Sequence, residues 1–494
     1  MAFPLPRSIV LAPHDNTKYL SYVREGGQTG GFLKFFETQA VSPYATFDVE
    51  ISSTKGLVHI RSRRSNKYWQ RTKSVSATGN VASHWVAATA DNKEEDQSKE
   101  SCTLFKFIPI DRAEKTVRIV HVQSGCNLCL WEGSDPTFDR CVSAVLKEYN
   151  CKGNDTFKIV DCKSLLVLPK YVAFKGYNNM YLGITDNHVA FSENDIGHLN
   201  VAWETFVTDD GHVRIKSNRT NKFWGLVWEK EKPYIQVGFD DTSSTQAGTL
   251  FRPVKVDDKT IALRNLKNSK FGTRVMGGSN ILWFGPNVET VNKEARLTLE
   301  EPVLSLDIYD VTYHLQNSRV YDQTTFMVAK NYASNFTDEP THMDVKLTYE
   351  NVRTSVWKRN LSVSSAMQAK TEFNIPIIID GRVELSAEFH DGVRWEETET
   401  RKTVTDIVHK VVVPKMTKVT VNLIATRAKC DVPFSFMQSA TLYDGTVAIT
   451  EVEGATYTGS NYYSIHFETE EEKLKPKEKK TEPEGSAGPV FRSL

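Results

Sequence analysis

The sequence predicts an all-β chain: two copies of one closed barrel, followed by a different and more elongated β module. Three observations predict it. The run Gly56-Leu57-Val58-His59-Ile60-Arg61-Ser62, ending in Asn66-Lys67-Tyr68-Trp69, returns without a gap as Gly211-His212-Val213-Arg214-Ile215-Lys216-Ser217, ending in Asn221-Lys222-Phe223-Trp224. A duplication on this scale makes the first three hundred or so residues two copies of one unit. Short runs such as Val117–Val122 and Val213–Lys216 alternate apolar and polar with the period of a strand, and no amphipathic helical pattern competes with them. From Val303 onward the chain is again rich in Val and Thr but matches neither copy.

Further blocks extend the repeat. Leu5-Pro6-Arg7 matches Leu168-Pro169-Lys170, Lys18-Tyr19-Leu20 matches Met180-Tyr181-Leu182, and Cys102 to Lys106 matches Gly248 to Arg252. Within each copy a finer period shows. Tyr19, Tyr68 and Leu128 follow similar polar turns in the first, and Tyr181, Phe223 and Phe271 do so in the second. Three similar units closing one barrel are the pattern of a β-trefoil. The recurring Tyr68, Trp69, Phe223 and Trp224 are read as scaffold and core, and Asn66-Lys67 and Asn221-Lys222 as turn caps. The expected boundaries are 1–161 for the first trefoil, 168–300 for the second and 303–467 for the β module. A charged tail over 468–494, rich in Glu, Lys and Pro, is expected to be disordered.

Composition narrows the function. Lys and Arg together number 61, as do Asp and Glu, so the chain is neutral and offers no basic stripe for nucleic acid. Met1 to Arg7 has neither a basic region nor an apolar stretch of the signal-peptide kind, and no run of about 18 apolar residues suggests a spanning helix. A cytoplasmic or nuclear location of the soluble chain is expected, with membrane association on assembly. The seven cysteines read as free thiols. Cys126-x-x-Cys129 lacks a second pair and sits in a strand-like run that would send its side chains to opposite faces, so no metal or other cofactor is expected. No recognisable pair of catalytic carboxylates stands out, and no enzyme is expected.

The motif Gly56 to Arg63 with Asn66-Lys67-Tyr68, the Cys102 to Lys106 block, and Ile215 to Asn218 with Asn221 to Trp224 resemble the amaranthin family of plant agglutinins across both copies. The resemblance implies two β-trefoils and binding of the disaccharide galactose β1,3-N-acetylgalactosamine, between the first domain of one protomer and the second of another. The family's site follows its Asn-Lys-Tyr motif, which maps onto Ser74 to Thr89. Trp85 is the expected stacking platform, with Ser83, His84 and Asn80 as polar partners. His84 stands where the family has a tyrosine, and the loop is several residues longer. Trp228 and Tyr234 are the aromatics proposed for the opposing rim.

Met367 to His390 carries the sharpest alternation. Odd positions before and after Asp380-Gly381 are apolar at 10 of 11 places, and even positions at one of 11. A hairpin with one continuous apolar face suits a membrane β-barrel. The lipid-facing set would be Phe373, Ile375, Ile377, Ile379, Val383, Leu385, Ala387 and Phe389, with Asp380 and Gly381 at the turn. Facing residues of a pair share a side of the sheet, so one apolar face requires an odd-length turn or a bulge at Gly381, pairing Ile379 with Val383 and Ile377 with Leu385. Ile375-Pro376, Gly381, Val383 to Phe389 and Trp395 to Thr400 resemble the aerolysin-like pore-forming domain, notably its natterin-type branch. That resemblance implies a folded pre-stem hairpin that unfurls after ring assembly.

The expected function is a lectin of galactose and N-acetylgalactosamine glycans on glycoproteins or glycolipids, which brings a β-hairpin pore former to a membrane as a homo-oligomer, in plant defence or stress. The alternative is a non-lytic stress lectin of the cytosol and nucleus whose C-terminal module serves oligomerisation or protein interaction.

Overall fold

The structure is a computed structural model describing residues 5–14, 18–24, 26–74, 84–147, 153–240, 246–276, 281–362 and 368–475, with backbone alone for 368–372 and 388–391. Strands fill it, and among the described residues there is no α-helix. The first copy runs from β1 (Ser8–Pro13) to β13 (Phe157–Asp161), and these two strands pair, so the copy closes on itself. The second runs from β14 (Tyr171–Gly176) to β25 (Leu297–Glu300), which pair in the same way.

The repeated residues build the same core twice. Trp69 and Trp224 are fully buried. Trp69 meets Phe105 edge-on at 5.8 Å and 87°, and Trp224 meets Phe251 at 5.9 Å and 86°. Asn66 and Asn221 both take left-handed backbone, φ 56° and 58°, which Asn tolerates better than most residues. Each turns the chain between two strands, with its N–H on the carbonyl of Ser62 or Ser217. Each copy carries three hairpins. In the first they are β2–β3 (Tyr19–Tyr22, Leu33–Glu37), β6–β7 (Tyr68–Lys73, His84–Ala90) and β11–β12 (Cys129–Leu130, Val142–Ser143). In the second they are β15–β16 (Tyr181–Thr185, His188–Glu193), β19–β20 (Phe223–Glu229, Lys232–Phe239) and β23–β24 (Phe271–Met276, Leu282–Val288).

The third part is one eight-stranded sheet: β26 (Val303–Tyr313), β27 (Arg319–Asn335), β28 (Thr341–Lys358), β29 (Gln368–Ile379), β30 (Arg382–Arg394), β31 (Thr398–Val413), β32 (Thr417–Leu442) and β33 (Val447–Lys473). At about 3.3 Å per residue, the 27 residues of β33 span roughly 90 Å. Such length leaves two separate cores. One surrounds Trp357, Phe434, Phe436 and Tyr457; the other is a Val and Leu cluster around Val345, Leu347, Val419 and Leu423. β28 and β31 pair continuously from Thr341↔Val413 to Val356↔Thr398, and the β29–β30 hairpin lies between them in the chain.

Two expectations are corrected here. Glu468 to Lys473, expected in a disordered tail, complete β33 and pair with Asn422 to Thr417. The charges do not break the strand because their heads stay in water: Lys418 lies 3.5 Å from Glu472, and Asn422 donates to Glu470. The rest of the expected tail, from 476, lies outside the described residues. Among the described residues five cysteines are free, but Cys129 is disulfide-bonded, so a chain of seven free thiols is not what forms.

The first copy is joined to the long sheet by polar contacts. Arg319 of β27 donates to Glu50 and to the Tyr68 hydroxyl, each at 3.3 Å, and its guanidinium stacks 4.2 Å from the Tyr321 ring. Asn66 donates to the Asn317 carbonyl at 2.9 Å. Burial alone would raise the Glu50 carboxyl, but the hydrogen bond and charge of Lys93, with Arg61 beside it, hold it at about 2.

Candidate functional site

Trp85, expected to stack on a sugar, is fully buried. Its ring lies 4.9 Å from Phe138 at 24°, with Phe32 at 6.1 Å and Trp131 edge-on at 6.0 Å, and its Nε1 donates to the Ser74 carbonyl. The register explains why. Trp69 pairs with Ala88 and Trp224 with Val237, so stepping back three residues in each copy places Trp85 opposite Tyr234 in the repeat. The other two hairpins agree. Phe32 bridges Ala87 as His188 bridges Gln236, and Lys34 bridges Cys141 as Ala190 bridges Trp283. The trios Phe32, Trp85, Cys141 and His188, Tyr234, Trp283 are therefore equivalent, each set around the threefold axis of its hairpin cap. The first is a dry plug; burial pushes the Cys141 thiol up to about 12.

Tyr234 is corrected with it. Only 7% exposed, it meets His188 edge-on at 5.9 Å and is no rim residue. Its trio is more polar: His188 lies 4.6 Å from the Trp283 ring and 2.9 Å from the exposed Glu229 carboxylate. Trp228, next to Glu229 near the tip of β19–β20, is 54% exposed and is the one expected aromatic whose face is open. Met276, at the end of the neighbouring β23, is also exposed, and Lys232 reaches its carbonyl. His84 is half-buried at the start of β7; burial, with Arg71 and Lys73 nearby, lowers its pKa. Asn80 and Ser83 lie outside the described residues. Of the four expected sugar residues that are described, the structure thus leaves Trp228 and His84 on accessible surface, in different copies.

In the β29–β30 hairpin the turn is even, not odd. Ile379 pairs with Arg382, Ile378 with Val383, Ile377 with Glu384 and Pro376 with Leu385. Asp380 and Gly381 both have positive φ, 47° and 78°. That is the two-residue turn Asp-Gly favours, because its twist matches that of the strands. The expected one-sided face is therefore absent at the tip: Ile377 and Ile379 share a side with Glu384 and Arg382. Further back the register shifts between Asn374 and Pro376 and again between Ala369 and Glu372. Asn374 then pairs with Phe389, whose side chain is outside the described set.

The hairpin packs by one face of its tip, that of Pro376, Ile378 and Val383, and leaves Ile379, Arg382 and Glu384 exposed. Phe373, Ile375, Ile378 and Val383 are buried in the Trp357 core, while Ile379, Leu385 and Ala387 are exposed. Trp357 meets Phe373 edge-on at 5.9 Å. A residue the sequence did not single out completes the hold. Asn461 of β33 accepts from Ile378 N and donates to Ile378 O, both at 2.9 Å. The pair next to a two-residue turn is hydrogen-bonded, so Ile378, one step further, turns its N–H and C=O outward. The Asn461 amide meets both, as a strand would. Beneath the tip lies a cavity of about 490 Å3, lined by Ile377 to Asp380 and by Arg353, Arg401 and Tyr462 to Ile465.

The family model described as Agglutinin domain matches residues 3–161 and again 166–298, over half the chain. The model described as Aerolysin toxin matches residues 294–448. No curated protein matches the chain. Among solved structures, the lamprey immune protein shares 11% identity over 63% of this chain and 93% of its own, with a TM-score of 0.30. An aerolysin-like protein of Bombina maxima shares 15% over 34% of this chain and 99% of its own, TM-score 0.24. The hemolytic lectin CEL-III shares 10% over 92% of this chain and 91% of its own, TM-score 0.30. The chain belongs to the agglutinin-domain family, with two agglutinin domains ahead of an aerolysin-type β module.

Proposed function

We propose that this protein is a lectin-targeted pore former: the agglutinin pair binds galactose and N-acetylgalactosamine glycans on a membrane, and the long module donates the hairpin of residues 367–390 to a barrel. The observation that carries this reading is the nesting of strands. β28 and β31 already form one antiparallel ribbon, and β29–β30 is the fold at its end. Straightening that fold lengthens the ribbon without making or breaking a chain crossing. Only a closed barrel satisfies every backbone amide in lipid, so insertion follows assembly of a homo-oligomer. Exposed Trp228 offers an apolar face to a sugar ring. Several weak glycan contacts in one oligomer add up through effective concentration.

The test is dye release from liposomes carrying a glycolipid that ends in galactose β1,3-N-acetylgalactosamine. Release that free disaccharide inhibits supports the reading. Binding without release leaves a non-lytic lectin, and absence of binding removes the glycan assignment.

A further inference from the structure

The neck of the hairpin is where the chain leaves β28 and returns to β31. Trp357 and Trp395 bridge there, and the Glu396 N–H donates to the Trp357 carbonyl at 2.9 Å. Glu396 sits in left-handed backbone, φ 63°, so the exit turns sharply. The entry, Lys358 to Ser362, is gripped from outside the module by both connectors of the agglutinin pair.

The first grip comes from the segment joining the two copies. Ser362 N donates to the Val167 carbonyl at 2.8 Å, and Val167 N donates to the Ser362 hydroxyl at 2.9 Å. The flanking Leu166 and Leu168 are buried in the core of the second copy, so this connector moves with that barrel. The second grip comes from the segment that follows the second copy. Arg359 donates to Glu301 at 2.7 Å, with side chains only 4% and 6% exposed. Its guanidinium lies 5.3 Å from the Trp395 ring on the exit side. Arg359 thus ties the connector after the second copy to both arms of the neck. Beside it lies a cavity of about 420 Å3, lined by Lys358 to Ser362 and Glu396, by Cys162, Leu165 and Val167, and by Asp48 and Arg63 of the first copy. The cavity lies against the first grip, so the neck and the connector that holds it border open space together.

We propose that the agglutinin pair is itself the latch of the hairpin: Val167 with Ser362, and Glu301 with Arg359, hold the neck folded, and a rotation of the second copy when it engages a surface frees it. This rests on the reading of the hairpin as the inserting element. A buried ion pair suits a latch, because separating the partners leaves each charge uncompensated until water reaches it. The neck is therefore either closed or fully open. The two connectors touch the neck directly, through hydrogen bonds and one ion pair, so no relay through the long sheet is needed.

The experiment is hydrogen exchange of the 368–394 amides in the soluble full-length chain, comparing wild type with Ser362→Ala, Glu301→Gln and a disulfide-locked Val167→Cys/Ser362→Cys form. The expected result is exchange about tenfold faster in each single variant and slower in the locked form, with the cores of both copies and β32 unchanged. Ser362→Ala removes no charge and keeps the test decisive if Glu301→Gln misfolds. Unchanged hairpin exchange in Ser362→Ala and in the locked form, or an equal rise along the whole chain, overturns the latch. Dye release is then read on the locked form before and after reduction, with reduced wild type as control because Cys129 is itself in a disulfide. If wild type releases nothing, the pore reading fails while the exchange result still decides the latch.

Discussion

Trp85 and Tyr234 occupy one position in two copies of the same barrel, each packed at the threefold axis of a hairpin cap and each less than a tenth exposed. Trp85 is sealed by Phe32, Trp131 and Phe138; Tyr234 shares its place with His188 and Trp283. A substitution at Trp85 is therefore a stability experiment. Trp85→Ala should cost about 3–5 kcal/mol of the first copy's stability. Trp85→Phe should keep the fold with a smaller loss. Glycan affinity of the Phe variant within about twofold of wild type is expected, measured by titration calorimetry beside a thermal melt. A large affinity loss with an unchanged melt would mean that the ring reaches the ligand after all.

Trp228 calls for the opposite result. Its face is open and it fills no core, so Trp228→Ala should leave stability within about 0.5 kcal/mol. As a sugar platform its removal should weaken binding about tenfold, near 1.4 kcal/mol. The two measurements together separate a contact residue from a structural one. Unchanged affinity would move the glycan site away from the second copy's β19–β20 tip.

The Glu50 carboxyl makes the junction of the first copy with β27 sensitive to acid. Its folded pKa, held at about 2 by Lys93 and Arg61 against the effect of burial, lies below the unfolded value of about 4.3. The stabilisation is thus complete above about pH 4.3 and is lost as pH falls toward 2. Glu50→Gln should be less stable than wild type at pH 7 by up to about 3 kcal/mol. The gap should close as both are taken down to about pH 2. A gap that stays constant with pH would mean that Glu50 acts through packing and not through its charge.

How much of this was legible in the sequence depends on the range of the interaction. Trp69 and Trp224 could be read because the duplication shows the same core residue twice, in a run that returns without a gap. The Trp85–Tyr234 equivalence was hidden: sixteen residues separate Trp69 from Trp85, against ten between Trp224 and Tyr234, so the longer hairpin loop of the first copy removed the shared spacing. A stacking Trp and a plugging Trp look alike in a strand, and only the neighbours decide. Asn461, Glu301 and Arg359 gave no signal, since their partners come from other elements far along the chain and obey no period. At Asp380-Gly381 the local turn preference and the demand for one apolar face pointed to different registers. The resting hairpin follows the turn, because in that register the face it buries at the tip, Ile378 with Val383, is apolar.

That conflict yields the last prediction. A one-residue slip in pairing exchanges the faces of a strand. In the resting hairpin Ile379 faces Arg382 and Ile377 faces Glu384, so no continuous apolar stripe exists to meet lipid. The barrel needs Ile379 opposite Val383 and Ile377 opposite Leu385, one residue out of step with rest. Insertion then requires the hairpin to re-register, and the resting register itself helps keep the chain soluble. Cysteines at Ile378 and Val383, an opposed pair in the resting structure, should cross-link readily and abolish dye release until reduced. Cysteines at Ile377 and Leu385, mismatched at rest, should cross-link poorly in solution and well on membranes, and there leave release intact. If the resting-register cross-link permits release at the wild-type rate, the hairpin enters without slipping, and the apolar stripe must be assembled from neighbouring hairpins of the ring.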